Sequence, residues 1–315
     1  MQSGQWIDPD IVPMLESMPP LLDELADELL GPLREKELAD LALLELSGDV
    51  ERVNHLVPAQ GGDLILRVHR PLGIDRDAPC LYSIHGGGYV LGRSEMEDAR
   101  LEQLCLELGC VATSIEYRLA PETRYPGPLE DCYAGLRWVH EHSTTLGVDP
   151  DRVGIGGRSA GGGLAAATAL LARERQGPRI AFQLLVYPML DDRATTRSSA
   201  WQVPVWNPAK NRYGWQSYLG QLHDTDDVPP TAAPARATDL TGLPPAFVCV
   251  GSADLFMDED IAYAQALTHA GVPTELHLYP GGIHGFESIA PDAAISVQLR
   301  RDVLAWLRRA MAPRN

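Results

Sequence analysis

The chain has 315 residues, 45% of them hydrophobic and 22% charged, with a formal net charge of -17. An acidic balance of that size repels nucleic-acid phosphates and anionic membrane surfaces, so neither is an expected partner. No charge-free apolar run reaches the roughly 18 residues of a spanning helix, so no stable membrane association is expected either. Asp8, Asp10 and Glu16 interrupt the early apolar residues and the first basic residue is Arg34, which argues against a secretory leader. Five cysteines without metal-type spacing read as reduced, buried thiols of a cytoplasmic protein.

Residues 1–45 are rich in Leu, Glu, Asp and Pro. After Pro19-Pro20, the apolar spacing at Leu21, Leu22, Leu25, Leu29 and Leu30 predicts a helical arm, with acidic residues at its start. The pattern then changes. Val50–Val57 and Leu64–Val68 read as strands around Gly61-Gly62, and a buried strand at Cys80–Ile84 runs directly into His85. Helices are expected over Asp98–Leu108, Leu129–His142 and Ala160–Arg175, interleaved with strands at Cys110–Tyr117, Arg152–Gly156 and Phe182–Tyr187. Strands at Ala246–Val250 and Glu275–Tyr279 alternate with helices at Met257–His269 and Ala293–Met311.

Such alternation implies a mostly parallel central sheet flanked by helices on both faces. Residues 191–240 interrupt it and carry Trp201, Trp206 and Trp215 with five prolines. That stretch is too long for an ordinary connection. It is expected to be a cap insertion over the strand ends, joined there by the N-terminal arm of residues 1–45. Residues 46–190 and 241–315 would then form the catalytic domain.

Four groups carry chemistry: His85-Gly86-Gly87-Gly88, Gly157-Arg158-Ser159-Ala160-Gly161, Asp254 and His284. Gly-x-Ser-x-Gly between a buried strand and an alanine-rich helix sets a serine on a sharp turn, where a Cβ at either glycine would clash with neighbouring backbone. A serine hydroxyl needs an adjacent base at neutral pH. His284, in a glycine-rich loop after the last strand, can supply it. Asp254, in the loop after the Ala246–Val250 strand, can accept Nδ1–H and fix the imidazole tautomer. Asp258 is its rival, expected instead to serve the start of the next helix. The order Ser, Asp, His belongs to the α/β-hydrolase fold. Ala160 N–H follows the nucleophile at a helix start, and Gly87 and Gly88 N–H come from the upstream loop. These three are the expected oxyanion donors. His85 is expected to bond within its own loop. No metal or cofactor is called for.

At these residues the chain resembles the bacterial hormone-sensitive-lipase-like carboxylesterases. The matching pieces are His85 through Tyr89, Glu116-Tyr-Arg-Leu-Ala-Pro-Glu122, Ser159-Ala-Gly-Gly162, Asp254 and His284-Gly-Phe286. The resemblance implies the same triad and oxyanion donors, a two-part helical cap, and a structural ionic network among Arg118, Glu122 and Asp131. One position departs: the family usually carries Asp or Thr before the serine, and here Arg158 stands. Strand alternation points its side chain away from the serine oxygen, which favours a supporting pair with a carboxylate such as Glu287 or Asp131 over contact with an acidic substrate, the alternative.

A serine carboxylesterase acting on short- to medium-chain acyl esters is the reading that results, with a small-molecule ester as partner and a homodimer left open. An amide, a lactone or an acetylated natural product could be cut by the same machinery. The competing class is a non-enzymatic receptor, as in the plant gibberellin receptors. Those lack the histidine that this chain retains.

Overall fold

The computed structural model describes residues 7–18, 22–74 and 76–313. Eight strands form one sheet in the order β1-β2-β4-β3-β5-β6-β7-β8. They are β1 (Val50–Val57), β2 (Leu64–Pro71), β3 (Ala78–Ile84), β4 (Val111–Ile115), β5 (Val148–Arg158), β6 (Gln183–Val186), β7 (Ala246–Gly251) and β8 (Thr274–Tyr279). β1 and β2 form an antiparallel hairpin, β2 also runs antiparallel to β4, and every later pairing is parallel.

Helices cover both faces. One core gathers residues of α4 (Gly127–Glu141), α6 (Ala160–Glu174) and α8 (Met257–His269). The other gathers α3 (Asp98–Leu108) and α10 (Ala294–Ala310). Side chains of a strand alternate between the two. Tyr82 and Ile84 of β3 enter the first core and Leu81 the second; Val248 of β7 enters the first, Phe247 and Cys249 the second. Because both faces are covered, β3, β4, β6 and β7 are buried along their whole length. They therefore read in the sequence as apolar runs rather than alternating patterns.

The predicted elements of the sheet and its helices recur with shifted ends. β2 extends three residues past Val68 because its partner β1 continues to Val50, opposite Pro71. β5 starts at Val148 rather than Arg152, where Val148 pairs with Ala78 before a register shift.

The N-terminal arm differs more. A short helix α1 (Val12–Ser17) precedes it, and the main helix α2 spans Asp27–Leu41 rather than starting near Leu21. Pro19, Pro20 and Leu21 lie outside the described residues. Leu22 to Ala26 are not helical. Asn207 donates its side-chain amide to Asp23 O at 2.7 Å, and Tyr213 donates to Asp27 Oδ1 at 2.6 Å. Those partners are the N-cap and a mid-helix residue of α7 (Pro208–Leu219), so tertiary contact decides where the helix begins. Asp27 and Glu28 then sit in its first turn, the favourable end for negative charge.

α5 (Ser143–Leu146), α7 and α9 (Phe286–Ile289) complete the helices. All five cysteines are buried free thiols, Cys105 and Cys110 included. No helix among the described residues is long and apolar enough to cross a membrane.

Candidate active site

β5 ends at Arg158 and α6 begins at Ala160, leaving Ser159 between them with φ 55° and ψ -126°. A side-chain-bearing residue holds that conformation only when its surroundings impose it. Here they do. Ser159 N–H donates to Val186 O at 3.0 Å, while Ser159 O accepts Gly163 N–H at 3.1 Å and Met189 N–H at 3.0 Å. A Cβ at Gly157 would overlap the Gly161 carbonyl, and one at Gly161 would overlap that of Ile84. The elbow thus closes only with glycine at both positions.

Two loops at the ends of β7 and β8 bring the other groups to the serine. They are tied together: Ala253 N–H donates to Gly282 O at 2.9 Å, and Gly281 N–H donates to Ser252 Oγ at 2.8 Å. Asp254 is fully buried and accepts Phe256 N–H on Oδ1 at 3.0 Å. Its other oxygen lies 2.8 Å from His284 Nδ1, and His284 Nε2 lies 2.9 Å from Ser159 Oγ. With Nδ1–H donated to the carboxylate, Nε2 is the acceptor for the serine proton. The edges of Tyr187 and Phe256 pack against the imidazole, at centroid separations of 4.8 and 5.2 Å.

Asp258 is not part of this hydrogen-bonded set. Its carboxylate accepts Ser198 N–H at 2.8 Å, and its own N–H donates to Ser198 Oγ at 3.1 Å. Rather than capping its own helix, it pins the start of the 191–240 segment.

The loop after β3 lies beside the serine: a Cβ at Gly86 would sit 3.3 Å from Ser159 Cβ. Gly87 and Gly88 follow with φ of 116° and 59°, a region that favours glycine. Gly87 O accepts Val90 N–H at 3.1 Å and Leu91 N–H at 2.9 Å, which fixes the loop. A Cβ at Gly88 would overlap the six-membered ring of Trp206. His85 Nδ1 is 2.8 Å from Gly86 O, within its own loop, and its ring stacks on Tyr117 after β4. Burial lowers the His85 pKa, which keeps it neutral there. Ala160, as the first residue of α6, has an N–H without an intrahelical acceptor.

The arm reaches the same loop. Arg34 donates to Val90 O and Ala120 O, both at 3.0 Å, and pairs with Glu122 at 2.7 Å. Gly92 N–H donates to Glu37 at 3.1 Å. Glu122 therefore answers the arm, while Asp131 forms a bidentate pair with Arg118 at 2.8 and 2.6 Å. The expected three-residue network is two separate pairs, because Glu122 is taken by a residue 88 positions earlier in the chain.

Arg158 turns toward the α3/α10 face. It reaches Glu97 at 2.8 Å, and Glu287 and Ser288 Oγ at 3.2 Å each. Glu287 was one of the expected partners; Asp131 is not used. Glu97, between β3 and α3, carried no signal in the sequence. It also accepts Ser83 Oγ–H at 3.0 Å and pairs with Arg100. Burial opposes the Glu97 charge, yet Arg100 and Arg158 hold its carboxyl well below the usual carboxylate range. Likewise burial works against the Arg158 cation, but Glu97, Tyr187 and Glu287 raise its pKa further. Tyr187 donates to Glu287 Oε1, which links this cluster to the residue packed on His284.

Among the described residues, no group of three or more His, Cys, Asp or Glu is arranged to hold a metal ion.

Comparison with known proteins identifies the family. Residues 81–288 match the family described as alpha/beta hydrolase fold. Esterase LipI of Mycobacterium tuberculosis is 33% identical over 288 residues, covering 90% of this chain and 89% of that protein. Carboxylesterase NlhH of the same species is 36% identical over 253 residues, 79% of each. Among solved structures, a bacterial heroin esterase superposes with a TM-score of 0.92 at 38% identity, over 98% of this chain and 99% of that one. The chain belongs to the hormone-sensitive-lipase-like carboxylesterase family of the α/β-hydrolase fold.

Proposed function

We propose that this protein is a cytoplasmic serine carboxylesterase that cleaves short- to medium-chain acyl esters through an acyl-Ser159 intermediate. The observation that carries the reading is the unbroken Ser159–His284–Asp254 hydrogen-bond chain of 2.9 and 2.8 Å on a strained elbow. Ser159 Oγ attacks the ester carbonyl while His284 Nε2 takes its proton. His284 then returns that proton to the leaving alkoxide, and the alcohol departs. Water, deprotonated by the same nitrogen, attacks the acyl-enzyme; the Oγ–acyl bond then breaks, His284 returns the proton to Ser159 Oγ, and the acid leaves. Asp254 holds the imidazole in register and stabilises the imidazolium. The N–H groups of Gly87, Gly88 and Ala160 receive the oxyanion of each tetrahedral intermediate.

The arm and residues 191–240 act as the cap. Their mutual bonds at Asp23, Asp27, Asn207 and Tyr213 support this, as does Trp206, which brings the insertion against Gly88. The test is a series of p-nitrophenyl esters from acetate to palmitate, with matched amides alongside and an organophosphate label. Ester turnover that peaks at short or medium chains, with stoichiometric labelling lost in Ser159→Ala, is the expected result. Labelling that persists at another serine, or faster cleavage of the amides, overturns it.

A further inference from the structure

On the α3/α10 face, next to Arg158, a cleft of about 250 Å³ opens between the two helices and β6. It is smaller than the roughly 300–1,000 Å³ of sites for drug-sized ligands, so its occupant is small. Three cations border it: Arg100, Arg158 and Arg300. Against them stand two carboxylates, Glu287 on the border and Glu97 bonded to both Arg100 and Arg158. One positive charge is left over. It belongs to Arg300, which donates to Pro291 O at 2.6 Å and pairs with no carboxylate among the described residues. Arg100 adds a buried Nε–H with no acceptor. A cleft with a surplus cation and an unused donor suits an anionic head group.

Glu287 limits the charge of that group. Its Oε1 is engaged by Arg158 and Tyr187, but Oε2 is buried and bare. A second anionic group on the ligand would meet it unscreened. Most of the remaining lining is aliphatic, including Leu184, Leu299, Val303 and Leu304, with Gln103 and Ser288 as its uncharged polar groups.

We infer that this cleft is a second binding site, separate from the ester pocket, for a short- to medium-chain aliphatic monocarboxylate. The head group takes Arg300 and the Arg100 Nε–H, and the chain lies on the leucines and Val303. Such acids are the class released by the activity proposed above. That link rests on the proposed function, whereas the binding site itself does not.

The experiment is a calorimetric titration of octanoate into protein whose Ser159 has been capped by an organophosphate, which closes the ester pocket. One equivalent should bind. Arg300→Glu should weaken it by at least about tenfold, the loss expected for one hydrogen bond to a charged group, and Leu304→Trp should weaken it too because the indole fills the cleft. Suberate, the dicarboxylate of equal length, should not bind, and both variants should keep wild-type turnover of p-nitrophenyl butyrate. No binding to the capped protein, binding indifferent to both substitutions, or equal binding of suberate overturns the site. Failure of the organophosphate to react at Ser159 would count against the proposed function instead. The same titration on Ser159→Ala with the same two cleft variants then decides the site by itself.

Discussion

The guanidinium of Arg158 and the carboxylate of Glu97 meet at 2.8 Å, with side chains only 18% and 1% exposed, one residue from Ser159. Removing one member of a buried pair leaves the other charge uncompensated. Arg158→Ala should therefore lower stability by about 3 kcal/mol, visible as a fall in melting temperature. The deficit should be full at neutral pH. Glu97 has a depressed folded pKa, so the pair's contribution is present above the ordinary carboxylate range and fades as acid protonates the carboxyl. Because Arg158 faces away from the ester pocket, kcat for neutral esters should fall only modestly. A raised KM for carboxylate-bearing esters at unchanged melting temperature would show that Arg158 contacts substrate.

Asp254 and Asp258 are four residues apart and both accept hydrogen bonds, but only Asp254 meets His284. Asp254→Asn should lower kcat by about 10⁴-fold, the scale of losing the correct imidazole tautomer. Asp258→Asn should leave kcat nearly unchanged and reduce stability through the lost contact with Ser198. Comparable losses of kcat in both variants would contradict this division of roles.

Trp206 and Gly88 should behave as a coupled pair. Gly88→Ala drives a methyl into the indole and strains a backbone held at φ 59°. Loss of one oxyanion donor should lower kcat by about 10² to 10³-fold. Adding Trp206→Ala should recover part of that loss, and Trp206→Ala alone should shift the optimum acyl length. Trp215 is buried against Tyr89, with ring centroids 5.2 Å apart. Trp215→Ala should instead destabilise by about 3–5 kcal/mol. Kinetics of wild type, the Gly88→Ala and Trp206→Ala variants and their double variant, read as a cycle, check the coupling, and a melting curve of Trp215→Ala checks its role.

Asp260 is fully buried and neither of its oxygens has a partner among the described residues. Burial, with Glu259 and Asp254 nearby, raises its pKa well above the ordinary value. Between the unfolded and folded pKa values the native state holds a proton that the unfolded chain has lost, so stability falls as pH rises through that window. Asp260→Asn mimics the protonated form. It should raise the melting temperature at neutral pH, with the gain vanishing below about pH 4, where the unfolded carboxyl is also protonated. Melting curves across that range decide it; no gain at neutral pH would mean that the carboxylate is compensated.

Much of the catalytic arrangement could be read in the sequence because it is written in local terms. Gly157 is demanded by the Gly161 carbonyl four residues on, although Gly161 answers to the distant Ile84 carbonyl, and buried strands such as Cys80–Ile84 announce themselves as apolar runs. The order of Ser159, Asp254 and His284 along the chain then selects the fold. Partners depend on long-range packing and could not be read the same way. Arg158 meets Glu97 across 61 positions and Glu122 is taken by Arg34 across 88, and no local pattern marks either pair. The arm shows the same limit: leucine spacing alone starts its helix near Leu21, but Leu22 to Ala26 are not helical, and bonds from Asn207 and Tyr213 reach Asp23 and Asp27, where the helix begins. Sequence spacing determined which residues could do the chemistry. Tertiary packing decided which charges they face, because a buried ion is stabilised by whichever opposite charge the fold brings within reach, not by its neighbours in the chain.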